Sequence, residues 1–143
     1  MRTLDTLDVQ RAMYLAKAAH VGQVDNGGMH RFLHVEAVAN KCIVPTFQIV
    51  AYLHDTLEDS TVTNKECIAA TFNDEVAEAV DAITRRKGEQ YFDYIRRCKE
   101  NRIARAVKQM DIHHNMDRAR WPEMPDSYAE REEKALRILE GEG

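Results

Sequence analysis

Cysteine, proline and glycine are all scarce in this chain of 143 residues, and long apolar runs are missing. The three cysteines (Cys42, Cys67 and Cys98) are far apart and form no C-x-x-C pair, so we expect neither a disulfide framework nor a cysteine zinc site, and a reducing, cytoplasmic setting. No apolar stretch approaches the roughly 18 residues that span a bilayer. The acidic N-terminus lacks the apolar segment of a secretory signal. The sequence therefore predicts no membrane partner.

An excess of positive charge is also lacking. Twenty basic and 24 acidic residues give a net charge of −4, which argues against a dedicated nucleic-acid binder. The basic residues are unevenly placed, because residues 85–120 hold 11 of them against five acidic residues. This basic segment is either a solvated helix face or a localised anion site.

Strand signals are nearly absent, and apolar residues recur at helical spacing along the chain. The length and an apolar fraction of 44% suit one domain over residues 1–143. We predict an all-α bundle of seven or eight helices, with Asn73 and Asn101 as N-caps and with capping boxes at Thr63–Glu66 and Ser127–Glu130. The predicted helices cover residues 8–21, 31–41, 45–59, a short stretch from 63, 74–86, 89–100, 102–116 and 127–140.

Four titratable side chains follow an apolar run in the third predicted helix. His54, Asp55, Glu58 and Asp59 come directly after residues 49–53. Unpaired carboxylates that enter a core cost several kcal/mol each, so this end of the helix either emerges into solvent or its charges meet a cation. His54 and Glu58 are four residues apart and are predicted to share a face of this helix, as are Asp55 and Asp59.

Two other predicted helices place a polar side chain among apolar ones, His34 in the second and Asp111 in the seventh. Singly, each is readily explained as a hydrogen-bonded core residue. Together with His54 and Asp55 they form a mixed imidazole and carboxylate set. Such a set suits an octahedral divalent ion such as Mn²⁺, Fe²⁺ or Mg²⁺ and suits a structural zinc site poorly.

This H…HD…D pattern resembles that of the HD-domain metal-dependent phosphohydrolases. More narrowly, the chain resembles the small single-domain relatives of the Rel/Spo guanosine tetraphosphate 3′-pyrophosphohydrolases. The similar motifs span nearly the whole chain: AHVGQ at 19–23, LHDTLEDS at 53–60, TRRK at 84–87 and KQMDIHHNM at 108–116. The HD dipeptide alone is weak evidence, whereas HDxxED followed about 50 residues later by the last motif is strong.

The resemblance implies an HD-type helical bundle that hydrolyses the 3′-pyrophosphate of guanosine tetraphosphate or a related alarmone. It implies a divalent metal, with Mn²⁺ as the family's usual ion, and a nucleotide polyphosphate as substrate. Glu58 and Asp59 match the catalytic pair that positions or activates the attacking water. Lys87 matches a phosphate contact and Asn115 a nucleoside contact. The implied metal ligands are His34, His54, Asp55 and Asp111.

The departures from the family pattern fall on the substrate pocket. An Arg-Lys pair that contacts guanine in the family is replaced by Asp25 and Asn26, and a threonine by Arg118. In the last helix Arg131 is kept, but Ala135 stands where a tyrosine is common. A carboxylate cannot stack on a purine as a guanidinium does, although Asp25 offers acceptors for guanine N1–H and its amine. We therefore expect looser base selection around these candidate substrate contacts.

Three other functions are compatible with the sequence. The substituted loop motivates a nucleotidase or phosphodiesterase that acts on another nucleotide phosphoester. An oxygenase of the same fold would need a di-iron site with further histidine ligands. The extra ligands that this sequence offers are the carboxylates Glu58 and Asp59, which argues against an oxygenase. The non-enzymatic alternative is a degenerate nucleotide-binding module, and the intact HDxxED motif with Asp111 counts against it.

Overall fold

The computed structural model describes residues 2–58 and 63–141, and eight α-helices lie in these two ranges. The prediction of an all-α helical bundle is confirmed. None of the described helices is both long enough and apolar enough to cross a membrane. The helices are α1 (Thr6–Ala19), α2 (Arg31–Asn40), α3 (Pro45–Leu53), α4 (Lys65–Thr71), α5 (Asp74–Ile83), α6 (Tyr91–Lys99), α7 (Arg102–Asn115) and α8 (Asp126–Leu139).

The apolar helix α3 lies at the centre of the bundle. Its residues 49–53 are all buried, and α1, α2, α5 and α7 pack against it. Each fully buried Val, Leu or Ile contributes about 1.5–3 kcal/mol relative to an exposed one, so this run fixes α3 in the core. Helices α2, α3 and α7 also contact one another pairwise. Side chains from these three helices therefore converge at one place.

Two of the predicted helix starts are confirmed by their hydrogen bonds. The Asn73 side chain accepts the Val76 N–H at 2.8 Å, and Asn101 accepts the N–H groups of Ile103 and Ala104. These side chains satisfy N–H groups that have no partner within the first turn of a helix.

Other predicted helix starts are wrong. Helix α1 begins at Thr6, two residues before the predicted start, because the Asp5 side chain caps it. Helix α4 is capped by Asn64, which accepts the Cys67 N–H at 2.9 Å, while the Thr63 hydroxyl donates to a backbone carbonyl instead. Helix α8 begins after Pro125 with no side-chain cap, so Ser127 lies inside the helix.

The third helix ends earlier than predicted, at Leu53 rather than at residue 59. The N–H and the hydroxyl of Thr56 both donate to the Leu53 carbonyl, at 3.0 and 2.7 Å, and the His54 ring bonds to the Ala51 carbonyl. These bonds satisfy terminal carbonyls in a turn that does not continue the helix. The predicted helix-face pairing of His54 with Glu58 is therefore wrong, since residues 54–58 form turns.

Candidate functional site

Three of the four predicted metal ligands meet in the core between α2, α3 and α7. The ligand atoms of His34, His54 and Asp111 all lie within 4.8 Å of one another, and all three residues are buried. The Oδ1 atom of Asp111 lies 2.7 Å from His34 Nε2 and 3.2 Å from His54 Nε2. Two imidazole nitrogens thus converge on one carboxylate oxygen.

The hydrogen bonds of His54 orient its ring toward this oxygen. Its Nδ1 lies 2.6 Å from the Ala51 carbonyl oxygen, which accepts but cannot donate, so Nδ1 carries a proton. Its Nε2 faces carboxylate oxygens of Asp111 at 3.2 Å and Asp55 at 3.4 Å. A lone pair on Nε2 would oppose both oxygens, so this position requires a second proton or a metal cation.

Without a metal, a proton meets this requirement. Burial disfavours the charged imidazolium, but the Asp55 and Asp111 carboxylates outweigh burial and raise the pKa of His54 to about 9. A cation placed among the same oxygens would take over the role of that proton. The donor set, two imidazoles with a buried carboxylate, fits a divalent transition ion.

The fourth predicted ligand, Asp55, lies beside the three-residue group rather than within it. It is half-buried, and its Oδ2 lies 3.4 Å from Arg31 Nη1 as well as from His54 Nε2. The carboxylate is thus shared between the imidazole and a guanidinium.

His114 contacts the outer side of the His34 ring. The two Nδ1 atoms lie 2.6 Å apart, and one of them must donate to the other. Burial and the nearby Arg120 lower the pKa of His114 to about 4, so its ring is neutral at pH 7 and its Nδ1 can accept. With the Nδ1 proton of His34 given to His114, its Nε2, which lies 2.7 Å from Asp111 Oδ1, has the same requirement as that of His54: a proton or a metal cation must lie between the nitrogen and the oxygen.

Donors surround the Asp111 carboxylate. Its Oδ2 accepts from Lys108 Nζ at 2.9 Å, and its Oδ1 accepts from Asn115 Nδ2 at 3.2 Å. Burial raises the pKa of Asp111, but Lys108 and the two histidines outweigh burial and hold it well below its usual range. Lys108 was not predicted as a site residue, although its position three residues before Asp111 indicates that the two side chains are neighbours on one helix.

A cavity of about 330 Å³ opens onto this group, and nearly all of its lining residues are polar or charged. Glu58 lines this cavity as an exposed residue, and its partial desolvation there and the Asp55 carboxylate raise its pKa. Asp59, the other predicted catalytic residue, lies outside the described residues. The lining residues are Asp25, Asn26, Arg31, His34, Asp55, Glu58, Lys108, Asp111, Asn115, Tyr128 and Arg131.

The predicted substrate contacts divide into two groups. Asp25, Asn26, Asn115 and Arg131 line the cavity. Lys87 is exposed in the loop after α5, and Arg118 is exposed and donates to the Met124 carbonyl, so the structure does not bring either to the lining. Three further lining residues, Arg31, Lys108 and Tyr128, were missed. The spacing of Lys108 from Asp111 was a local signal, but nothing in the sequence indicates that Arg31 and Tyr128 reach the same cavity.

The basic segment 85–120 supplies only one of the cavity's positive charges. Among its 11 basic residues only Lys108 lines the cavity, and the other cations that the described residues contribute to the lining, Arg31 and Arg131, lie outside the segment. Most of this segment's charges therefore lie away from the cavity, some exposed to solvent and others, such as Arg97 and Arg120, held in ion pairs within the protein.

The Asp25 carboxylate is fully engaged by the protein. Its Oδ1 accepts the N–H groups of Gly27 at 2.9 Å and Met29 at 3.1 Å, and its Oδ2 is paired with Arg120. A Cβ on Gly27 would collide with the Arg120 carbonyl oxygen, so the loop packs closely on residue 120. The oxygens that were expected to accept from guanine are already in use.

Arg131 presents a fixed guanidinium to the cavity. Its Nε and Nη2 donate to Glu132 Oε1 at 3.1 and 2.9 Å, and Glu132 also accepts from the Tyr91 hydroxyl at 2.8 Å. The guanidinium carbon lies 4.1 Å from the Tyr91 ring centre and 5.2 Å from that of Tyr128. These contacts hold the positive charge in one orientation.

Comparisons with known proteins agree with the motif resemblance. No protein-family model matches the chain. It is 29% identical, over 144 aligned positions, to a protein of Mycobacterium leprae (strain TN) named as a probable GTP pyrophosphokinase. The match covers 92% of this chain but 18% of that protein, so the chain spans about a fifth of the length of this curated relative.

The fold is also similar to a solved structure, of a metazoan ortholog of SpoT that is described as hydrolyzing ppGpp and playing a role in starvation responses. The TM-score is 0.75 at 18% sequence identity, and the match covers 99% of this chain and 90% of that one. The two proteins therefore share a fold, and the resemblance to small Rel/Spo relatives is confirmed.

Proposed function

We propose that the chain is a metal-dependent phosphohydrolase that removes the 3′-pyrophosphate of guanosine tetraphosphate or a related alarmone. The observation that carries the proposal is the orientation of His54. Its Nδ1–H is bonded to Ala51, so its Nε2 faces two carboxylates and requires a proton or a cation. The similarity to a ppGpp-hydrolysing protein supports the same assignment.

His34, His54 and Asp111 would hold a divalent ion, with Asp55 as a fourth ligand from beside the group, and Mn²⁺ is the ion that the family resemblance favours. A divalent ion at such a site lowers the pKa of bound water and polarises phosphoryl oxygens. For Asp55 to join, its Oδ2 would leave Arg31, which is 3.4 Å away. Arg31 would then be free to bind a phosphate oxygen in the same cavity.

Glu58 would take the proton from the attacking water. It faces the cavity, and its pKa is raised above that of a free glutamate, which makes the carboxylate a better base at neutral pH. Asp59 would assist it, as the family resemblance implies.

The positive charges of the lining would bind the polyphosphate. Arg31 of α2 and Arg131 of α8 line the cavity together, and Lys108 of α7, which is bonded to Asp111, adds to the positive charge of the lining. Asn115 and Asn26 would contact the nucleoside, and Lys87 and Arg118 would engage a substrate that extends beyond the cavity. The substrate that fits these groups is a small, multiply charged nucleotide.

The direction of the reaction needs its own test, because the Mycobacterium leprae relative is named as a probable pyrophosphokinase. The Mn²⁺-loaded protein should release pyrophosphate from guanosine tetraphosphate. It should form no guanosine tetraphosphate from GDP and ATP, and no guanosine pentaphosphate from GTP and ATP. Synthesis without hydrolysis would overturn the proposal, and so would binding of the nucleotide without turnover, which indicates a degenerate binding module.

A second candidate is hydrolysis of a different nucleotide phosphoester. The observation that favours it is the presence of Asp25 in the cavity wall, where the family resemblance leads us to expect a basic residue. The wall therefore lacks one positive charge at this position, and the Asp25 carboxylate is paired with Arg120. Phosphate release from a panel of nucleoside mono- and triphosphates separates the two. Brisk turnover of a monophosphate with none of the tetraphosphate would favour this candidate.

Metal content gives a sharper test of the site. Mn²⁺ bound per chain after equilibrium dialysis should be close to one in the natural protein and should fall most in His54→Gln, because that ring belongs to the buried group. Asp55→Ala should lose less, because Asp55 lies beside the group. The exposed His113 on α7 provides a matched control, and His113→Gln should bind Mn²⁺ normally. Full occupancy in both site variants would contradict the ligand assignment.

A further inference from the structure

Lys108 is a cation placed in contact with a carboxylate that would itself hold a cation. Its side chain is only 13% exposed, and its Nζ lies 2.9 Å from Asp111 Oδ2. The same ammonium lies 5.3 Å from the ring centre of Tyr94, a buried residue of α6. Burying an ammonium is costly unless it is paired, so the contact with Asp111 is strongly favoured.

The two oxygens of Asp111 are divided between different partners. Oδ2 contacts Lys108, whereas Oδ1 contacts both imidazole Nε2 atoms, at 2.7 and 3.2 Å. The lysine therefore occupies the oxygen that the histidines leave free. It does not compete for the oxygen on which the two imidazoles converge.

Lys108 is also held rigidly on its other sides. It is three residues before Asp111 on α7, so the two side chains lie on the same helix face. The Tyr94 ring lies beside the ammonium, and the Tyr94 hydroxyl is fixed by a bond to the Ile83 carbonyl at 2.5 Å. The position of Oδ2, and with it the rotation of the whole carboxylate, is set by this arrangement.

We propose that Lys108 is a positioning residue that fixes Asp111 as a single-oxygen metal ligand, with Oδ1 turned toward His34 and His54. The inference rests on the proposed metal site. The alternative is that Lys108 is only a counter-ion that neutralises Asp111 when no metal is bound. Replacement of the lysine should weaken metal binding if Lys108 is a positioning residue, and it should not weaken metal binding if Lys108 is only a counter-ion.

Mn²⁺ affinity of the whole chain, measured by equilibrium dialysis, decides between them. If Lys108 positions the ligand, Lys108→Met should bind Mn²⁺ about 10- to 100-fold more weakly, the usual loss when a partner of a metal ligand is removed. If Lys108 is only a counter-ion, removal of a competing positive charge should leave the affinity unchanged or increase it, and that result would overturn the proposal.

Two further variants complete the experiment. Lys108→Gln keeps a hydrogen-bond donor and should lose less affinity than Lys108→Met. Should Lys108→Met fail to fold by circular dichroism, Lys108→Gln gives the same test, because weaker binding supports positioning and equal or tighter binding overturns it. Lys99→Met makes the same charge change at a lysine that does not line the cavity, and it should bind Mn²⁺ normally.

The electron paramagnetic resonance spectrum of bound Mn²⁺ provides a second readout, since it responds to the ligand geometry. It should change in Lys108→Gln at saturating Mn²⁺ and stay the same in Lys99→Met. A natural protein that binds no Mn²⁺ would overturn the proposed function itself. A natural protein that binds Mn²⁺ with unchanged affinity and spectrum in the Lys108 variants would overturn only this inference.

Discussion

Asp25 and Arg120 lie 95 residues apart in the chain and form an ion pair at the wall of the cavity. Both side chains are largely buried, at 10% and 14% exposure, and Arg120 also donates to the His114 carbonyl at 2.7 Å. The loop between α1 and α2 is thereby tied to the end of α7. The negative charge that the sequence places in the substrate loop is neutralised within the protein.

This pair predicts coupled effects of substitutions at its two ends. Asp25→Asn keeps an oxygen acceptor for the Gly27 N–H but loses the charge, and Arg120→Met loses the partner. If the proposed function holds, each should raise KM for guanosine tetraphosphate several-fold with kcat little changed, because the loop would shift while the proposed metal ligands would stay in place. The free energies of unfolding of the two single variants and the double variant should give a coupling energy of about 0.5–3 kcal/mol between the two side chains. Additive losses would mean that the two side chains act independently.

Local sequence patterns do not predict this ion pair. Asp25 departs from a family pattern and was for that reason predicted to contact the base. The partner, Arg120, belongs to a distant loop, and nothing in local spacing indicates that residues 25 and 120 meet. Pairings of this kind depend on the packing of whole helices and not on the periodicity of any one of them.

Glu58→Gln should retain Mn²⁺ and the fold but lose most of the activity. Removal of a general base costs roughly 10²- to 10⁴-fold in rate, and the amide cannot accept a proton. Single-turnover rates of pyrophosphate release, with bound Mn²⁺ quantified in the same sample, measure the effect. The exposed Glu133 on α8 provides a control, since Glu133→Gln should react at the normal rate. An ordinary rate in metal-loaded Glu58→Gln would exclude Glu58 from the mechanism.

The sequence predicted the helical elements better than it predicted their ends. Asn73 and Asn101 were found as caps because a capping bond is local, made within three residues of the cap. The end of α3 was missed because it depends on Thr56 and the His54 ring, which bond to backbone carbonyls where the helical pattern continues in the sequence. The segment that would carry the proposed chemistry is thus a turn, although the apolar periodicity of the sequence predicts a helix there.

An ion pair outside the cavity fixes the connection between α5 and α6. Glu89 accepts two hydrogen bonds from Arg97, at 2.8 and 2.9 Å, and the same guanidinium donates to the Thr84 carbonyl at 2.9 Å. The Arg97 bonds lower the pKa of Glu89 from 4.5 to about 2. Glu89 is thereby held in the loop, and α6 begins at Tyr91 rather than at the predicted residue 89.

This pKa predicts a specific acid dependence of stability. A carboxyl group whose pKa is lower in the folded state stabilises the fold above its unfolded pKa, and the contribution is lost as the pH falls from 4.5 toward 2. The natural protein should therefore exceed Glu89→Gln in unfolding free energy by roughly 1–3 kcal/mol at pH 6 and by much less at pH 2.5. Urea denaturation at both pH values measures the difference. An equal difference at both would show that the charge of Glu89 is not responsible.

The final prediction concerns base selection, for which we consider Asn26, a residue of the substituted loop whose side chain makes no hydrogen bond with the described residues. Asn26 lines the cavity, and its amide carries both a donor and an acceptor, so it can serve the edge of guanine or of adenine. We therefore expect guanosine and adenosine 3′,5′-polyphosphates to differ less than about tenfold in kcat/KM, which corresponds to less than about 1.4 kcal/mol. A competition assay with both nucleotides measures the ratio directly.

Asn26→Asp tests which residue reads the base. A carboxylate only accepts hydrogen bonds, so it suits the N1–H and amine of guanine and opposes the N1 acceptor of adenine. Asn26→Asp should lower kcat/KM for both nucleotides, since its charge repels phosphate, yet it should raise the preference for guanine by about tenfold, or 1.4 kcal/mol. Asp25→Asn should leave the ratio unchanged, because Gly27, Met29 and Arg120 already engage the oxygens of Asp25. A ratio that responds to Asp25→Asn and not to Asn26→Asp would reverse the two assignments and make Asp25 the residue that contacts the base.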